Sequence, residues 1–301
     1  KAIKSISNVL NYGDILILES TVYPGVTEEY CTKILNKFTK LELGKDFFVG
    51  YSPERINPGD KKHSLNKISK IVAFNDKKNL GKVKNVYKNL GSKIIYTKNI
   101  KEAETAKVVE NIQRDLNIAF INEIYIFCKN NNLDFKEVIR LASTKWNFLK
   151  FSPGLVGGHC LPVDPYYFSF IAKKKKQITK VTLAGRDTNN LMPYYVSKMI
   201  IKNIKCDENY KKKRYLIAGL TYKPNVPDIR NSLALKVFEL VKNSITKTDG
   251  FDPYIKSNYM SLKNKMIVRN YEKIFVLTNH NSFKNAKFKK NKKFVFLFED
   301  L

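Results

Sequence analysis

The chain has 301 residues, 43% of them apolar and 12% aromatic, enough to bury a sizeable core over two or three domains, which excludes a disordered polymer. Against 27 acidic side chains stand 55 basic ones, and the formal net charge of +28 raises nucleic acid as a partner. The longest apolar runs, such as Ile15 to Leu18, are far too short to span a bilayer, and no cleavable apolar leader opens the sequence.

The basic runs at 173–176, 211–214 and 289–290 lie far apart in sequence and lack the interleaved aromatics of a stacking platform, so they read as solvated loops and helix ends. Neither nucleic acid nor membrane is an expected partner. Cys31, Cys128, Cys160 and Cys206 form no CxxC pair, and His63, His159 and His280 are equally scattered. No zinc site or disulfide framework is expected, and a reducing cytoplasm is the default location.

In chain order, residues 14–20 form a short apolar run before Pro24-Gly25, as expected for a buried parallel strand. Thr27 with Glu28 and Glu29 marks a helix start, and Tyr30, Ile34, Leu35 and Phe38 recur at helical spacing. Strands are predicted at 47–51, 68–74 and 93–96, with a helix between the last two, an alternation that argues for a parallel α/β sheet. From Lys101 to about Asn130, Val109, Ile112, Leu116, Ala119, Ile124 and Phe127 mark one long amphipathic helix. Further helices are expected at 135–142 and 183–202, separated by a Gly/Pro-rich segment from Pro153 to Pro165. After 211–214 the α/β pattern restarts with strands at 215–220, 273–277 and 294–298 and a helix at about 231–242. The layout is α/β, then all-helical, then α/β, with domains at 1–95, 100–205 and 211–301.

Chemistry concentrates first in Gly154 to Pro165 (GLVGGHCLPVDP). Paired glycines allow close backbone approach, a cysteine follows at once, and Asp164 lies four residues beyond it. Cys31, Cys128 and Cys206 lack such a context and read as small buried hydrophobes. On the long helix Lys107 and Asn111, at i and i+4, share a face away from the apolar stripe. Spacing suits an ordinary solvated face; a lysine drawn into a cleft would instead serve as acid, base or oxyanion partner. Ser20 to Gly25 and Ser52 to Arg55 each follow a strand, where open α/β sheets bind ligands, although turn formation also explains them.

Six ordered segments, STVYPGVTE (20–28), YSPERINPGD (51–60), AKVVENIQRDLNIAFINE (106–123), TKWNFL (144–149), GLVGGHCLPVDPYY (154–167) and GLTYKPNVPDIRNS (219–232), resemble the UDP-glucose/GDP-mannose dehydrogenase family over nearly the whole chain. The TKWNFL and GGHCxxVDPYY forms are most similar to bacterial UDP-N-acetylhexosamine 6-dehydrogenases of surface-polysaccharide pathways. The resemblance implies an α/β fold with an incomplete Rossmann-like NAD domain, a helical dimerisation domain and a Rossmann-like UDP-binding domain. It implies NAD as cofactor, a UDP-sugar as substrate and a homodimer.

By the same resemblance Cys160 is the nucleophile of a two-step oxidation through a thiohemiacetal and a thioester. Asp164 and Lys107 handle the proton and oxyanion charge, with Asn111 beside them, and Glu54 and Thr21 place the hydrolytic water. Thr21, Glu54 and Arg230 also fall at cofactor positions. Lys223 and Arg230 reach the nucleotide sugar, while Phe148, Leu149, Gly154 and Gly157 line its pocket. His159-Cys160-Leu161-Pro162 departs from the Ser-Cys-Phe type of the UDP-glucose enzymes, which favours an N-acetylated hexosamine and leaves UDP-glucose as the alternative. The family's opening Gly-x-Gly-x-x-Gly turn has no counterpart here, and residue 1 corresponds to a point inside the family's first domain. Two readings stay open: a fragment of a complete enzyme, or a catalytically silent homologue that binds or dimerises.

Overall fold

Two four-stranded sheets and eight α-helices carry the architecture of the computed structural model, which describes residues 1–56, 64–90, 93–255, 266–284 and 290–298. The part of the YSPERINPGD segment beyond Ile56, and Lys289, lie outside the described residues. The chain packs as two units: Lys1–Ile112 with Asp164–Thr179, and Gln113–Val163 with Lys180–Leu301.

In the first unit β1 (Ile15–Leu18), β2 (Phe48–Tyr51), β3 (Lys70–Phe74) and β4 (Ile94–Thr97) lie in sequence order. β1 pairs with β2 in parallel, and β3 with β4 likewise. The expected parallel sheet is found in part: β2 and β3 run antiparallel, with Gly50 opposite Phe74 and Tyr51 opposite Ala73. A parallel pair needs a crossover, usually a helix. Between these two strands the described residues hold only a short 3-10 turn, Leu65–Lys67. A Cβ on Gly50 would sit 3.0 Å from the Ala73 carbonyl oxygen, so glycine permits this close approach. β1, expected to be buried, is half-buried at all four residues because it pairs on one side only.

The helix read from Thr27 begins as a single π-turn, Val26–Cys31, behind Gly25 at φ +96°, and continues as α2 (Thr32–Phe38). A short α1 (Ala2–Ser7) precedes the sheet and was not expected. α3 (Leu80–Lys88) fills the predicted interval between β3 and β4, and Leu35, Phe47, Val49, Tyr51, Ile100 and Ala103 close the core on one sheet face.

Between β4 and β5 the regular elements are all helices: α4 (Ile100–Asn130), α5 (Phe135–Ala142), α6 (Asp164–Lys174) and α7 (Lys180–Lys205). α6 differs from the sequence expectation, in which Pro165 ends an irregular segment. Proline is tolerated in a first helical turn, and the Asp164 carboxylate at that end opposes the positive end of the helix dipole. α7 extends the expected 183–202 at both ends, with Pro193 inside it.

In the second unit β5 (Tyr215–Ala218), β6 (Thr248–Phe251), β7 (Lys273–Val276) and β8 (Phe294–Phe296) form an all-parallel sheet in the order β6-β5-β7-β8. β6 escaped sequence reading because Thr-Asp-Gly-Phe offers one large apolar side chain; it forms as an edge strand through its ladder with β5. β5 is buried on both faces: Tyr215 and Ile217 meet α7 and α8 (Leu233–Ser244), while Leu216 and Ala218 meet Ile274, Val276 and Phe283. Val237, Phe238 and Val241 on α8 are each worth roughly 1.5–3 kcal/mol of burial. Ser232 caps α8, its Oγ accepting from the Leu235 N–H at 3.3 Å.

Candidate active-site residues

α4 buries more than its apolar stripe: besides Ile112 and Ala119, which are buried as expected, it buries a row of polar residues. Glu104, Lys107, Asn111, Asp115 and Asn122 are all buried, whereas Val109 and Phe127, expected inside, are 49% and 56% exposed. These five polar residues recur at three, four and seven positions along one face. A solvated face for Lys107 and Asn111 is thereby excluded.

In the first unit Asn111 Nδ2 donates to Asp164 Oδ2 at 2.5 Å, joining α4 to the first residue of α6. One turn earlier Lys107 Nζ meets Glu110 Oε1 at 2.7 Å. Glu110 also receives Arg55, whose Nη2 lies 2.9 Å from Glu110 Oε2. Lys107, Asn111 and Asp164 thus stand close together, 8%, 4% and 2% exposed. Tyr51, at the end of β2, is fully buried with no hydrogen-bond partner for its hydroxyl among the described residues. Burial, reinforced by Glu104, Asp164 and Glu110, drives its pKa far above the phenol range.

Thr21 lies half-buried in the loop after β1. That loop is fixed by Glu104, which accepts from the Gly25 N–H at 2.6 Å, the Thr27 N–H at 2.9 Å and Thr27 Oγ1 at 2.7 Å. Burial raises the Glu104 pKa, and the three donors offset that only in part. Glu54 follows β2 on an exposed loop, where its Oε1 accepts from the Ile56 N–H at 2.6 Å. Thr21 and Glu54 share a place beyond the C-terminal ends of neighbouring parallel strands. The sequence reading missed Glu104, whose only signal is a charge on the inward face of a helix.

In the second unit Cys160 is exposed, and its segment lies against the stretch from Gly219 to Ser232. Asn231 Nδ2 donates to the Gly158 carbonyl at 3.1 Å, and the His159 and Tyr222 rings meet edge-on at 6.2 Å. A Cβ on Gly157 would stand 2.6 Å from the Asn231 carbonyl oxygen; one on Gly158, whose φ is +89°, would stand 2.8 Å from the Tyr222 ring. The close approach that the paired glycines permit is therefore to the chain itself. Lys223, half-buried, and Arg230, exposed, sit on the same stretch. Asp228 holds the Arg230 guanidinium through Nη2 at 2.6 Å and falls below the usual carboxylate range as a result. Burial, with Asp228 and Cys160 nearby, raises the Tyr222 pKa.

Gly154 is clamped by Asn122, which accepts from its N–H at 2.9 Å and donates to its carbonyl at 3.0 Å. Behind Asn122 runs a buried network: Asn189 at 2.9 Å, Asp115 at 2.8 Å from Asn189, and Arg186 at 2.6 Å from Asp115. None of these four was singled out from sequence. Phe148 packs, half-buried, beside the cluster of Ile121, Tyr125, Phe135 and Ile139, and Leu149 is 62% exposed. Cys31 and Cys128 are buried as expected, but Cys206 is exposed because it falls in the turn just past α7.

Three family models match in chain order: the NAD binding domain over residues 1–91, the central domain over 101–191 and the UDP binding domain over 216–299. With the two α/β sheets and the helical middle, they define an NAD-dependent oxidoreductase acting on UDP-sugars. The chain belongs to the UDP-glucose/GDP-mannose dehydrogenase family. It is 44% identical over 292 residues to UDP-N-acetyl-D-glucosamine 6-dehydrogenase of Salmonella typhi, covering 94% of this chain and 69% of that protein. It is 44% identical over 259 residues to the enzyme of that name from Pseudomonas aeruginosa, covering 85% and 61%. Among solved structures it resembles the UDP-D-ManNAc dehydrogenase of Pyrococcus horikoshii, with TM-score 0.83 and 31% identity over 97% of this chain and 69% of that one.

Proposed function

We propose that the protein carrying this chain oxidises the C6 alcohol of a UDP-N-acetylhexosamine to the uronic acid, with Cys160 as nucleophile. The observation that carries this reading is the exposed Cys160, set on the two glycines that lie against the stretch bearing Lys223 and Arg230. NAD, when bound, takes up one hydride in each of the two oxidation steps. Thr21 and Glu54, beyond the ends of β1 and β2, are placed where a parallel sheet offers a nicotinamide ring its neighbours. The parallel pairing of β1 with β2 supports that reading, and Arg230 is a further contact carried over from the family.

After the alcohol becomes an aldehyde, the Cys160 thiolate adds to C6 and gives a thiohemiacetal; loss of the second hydride leaves a thioester, and water cleaves it to carboxylate and free thiol. The Lys107 ammonium stabilises the oxyanion formed at C6, and the Asn111 amide orients Asp164 to hold or pass the proton. Glu54 and Thr21 place the hydrolytic water. Lys223 and Arg230 neutralise the diphosphate, Arg230 through a planar fork already oriented by Asp228. Phe148, Leu149, Gly154 and Gly157 line the sugar and uridine.

We further place the protein in the cytoplasm as a homodimer that supplies uronic acids for surface polysaccharide. A dimer is supported by the exposed apolar side chains Phe120, Phe127 and Leu191 on α4 and α7. No helix among the described residues is long and apolar enough to cross a membrane.

The test is NADH formation by the full-length protein against UDP-glucose and the UDP-N-acetyl derivatives of glucosamine, galactosamine and mannosamine. Two NADH per N-acetylhexosamine consumed, with UDP-glucose slow, is the expected result. A preference for UDP-glucose overturns the substrate assignment, and no turnover with any of the four favours the silent homologue.

A further inference from the structure

His280 plays no part in the chemistry above, yet it is fully buried at the turn that follows β5. Its Nδ1 accepts the Asn225 N–H at 2.9 Å, which requires Nδ1 to be unprotonated and places the ring proton on Nε2. Nε2 lies 3.0 Å from Asp252 Oδ2 and 3.2 Å from Thr221 Oγ1. Asp252 Oδ2 also accepts from the Leu220 and Thr221 N–H groups, at 2.6 and 3.0 Å. Thr221 Oγ1 donates to the Lys223 carbonyl at 3.0 Å. Asn225, at φ +61°, is held on its side chain by the Asn281 N–H at 2.9 Å. Lys223 is thus flanked on both sides by residues bonded to one imidazole.

We propose that His280 is a positioning residue for the nucleotide diphosphate, fixing Lys223 by accepting the Asn225 N–H. The proposal rests on the reading that Lys223 binds UDP. The two ring nitrogens make separate contributions. Nε2 with Asp252 secures the strand end and contributes to stability; Nδ1 with Asn225 sets the far side of the turn and contributes to affinity. A lysine is a compact point charge on a flexible stem, so its pairing with phosphate depends on where its backbone stands.

Two substitutions separate the nitrogens. His280→Asn puts an amide oxygen where Nδ1 stands and removes the Nε2 donor, whereas His280→Gln puts an amide at Nε2 and removes the Nδ1 acceptor. UDP affinity is measured by calorimetry on folded protein, with the thermal midpoint recorded for each variant. Lys223→Ala is expected to weaken UDP by about ten- to a hundredfold, the worth of a charged hydrogen bond. His280→Gln is expected to weaken it about tenfold, and His280→Asn to recover most of that loss even though its midpoint is no higher. Equal affinities in the two His280 variants, or affinity that simply follows the thermal midpoint, overturns the positioning role while leaving Lys223 in place. Unaltered affinity in Lys223→Ala overturns instead the reading beneath it.

Discussion

In the first unit the turn after β1 is gathered by Glu104, which accepts two backbone N–H groups and one hydroxyl; in the second the turn after β5 is gathered by Asp252, which accepts three backbone N–H groups and faces His280. Both carboxylates are buried. Burial raises Glu104 and its donors do not compensate, so its pKa stays above the ordinary 4.5. For Asp252 burial acts in the same sense, but His280 with the Tyr254 and Leu220 N–H groups outweighs it, and the pKa falls below 3.8. The same device for holding a strand-end turn thus shows opposite acid-base behaviour: Asp252 gains the His280 ring beside its N–H donors, whereas Glu104 has the like charge of Glu28 nearby.

The largest expected effect breaks the second device. Asp252→Ala strands its N–H donors and His280, and costs about 3–5 kcal/mol in denaturant unfolding at neutral pH. Because the folded pKa is depressed, the Asp252 contribution is present above the ordinary value and is lost as pH falls through the folded one, so the gap between variant and parent narrows in strong acid. Next comes Gly158→Ala, which meets both a positive φ and the Tyr222 ring; it is expected to cost about 1–3 kcal/mol and to change the alkylation rate of Cys160. Glu104→Gln is smaller, about 1 kcal/mol in acid, and its size depends on pH. A raised folded pKa means that stability is full below the ordinary value and drains away as pH rises through the folded one; the amide abolishes that decline, so variant and parent converge towards neutral pH. A parent whose stability does not decline there contradicts the contrast. Smallest is the thiol pattern: Cys160 and Cys206 react with a colorimetric disulfide reagent in the native state, Cys31 and Cys128 only on unfolding, and Cys206→Ser leaves the unfolding midpoint unchanged.

Much of this architecture could be read from residues alone. Alternating short apolar runs and one long helix without internal glycine or proline located most elements, and six ordered segments carried the family. One cause of failure is that hydropathy does not register a buried polar group. Beside the buried apolar residues of α4, Glu104, Lys107, Asn111, Asp115 and Asn122 also turn inward, so helical spacing alone left open whether Lys107 and Asn111 faced solvent or a cleft. β6 has too little apolar surface to announce itself, and Pro165 concealed a helix that it opens. The antiparallel β2/β3 pair depends on the connection and not on either strand's sequence. Asp252 and His280 lie 28 residues apart, and only their meeting in the fold reveals them.

Covalent capture of the sugar tests the chemistry most directly. Full-length protein mixed with NAD and UDP-N-acetylglucosamine, quenched in acid during turnover and digested, is expected to yield a peptide containing Cys160 heavier by the oxidised sugar nucleotide, and Cys160→Ser is expected to give neither adduct nor net uronic acid. Turnover that persists at the parent rate in Cys160→Ser, with no adduct on the parent, would contradict the account.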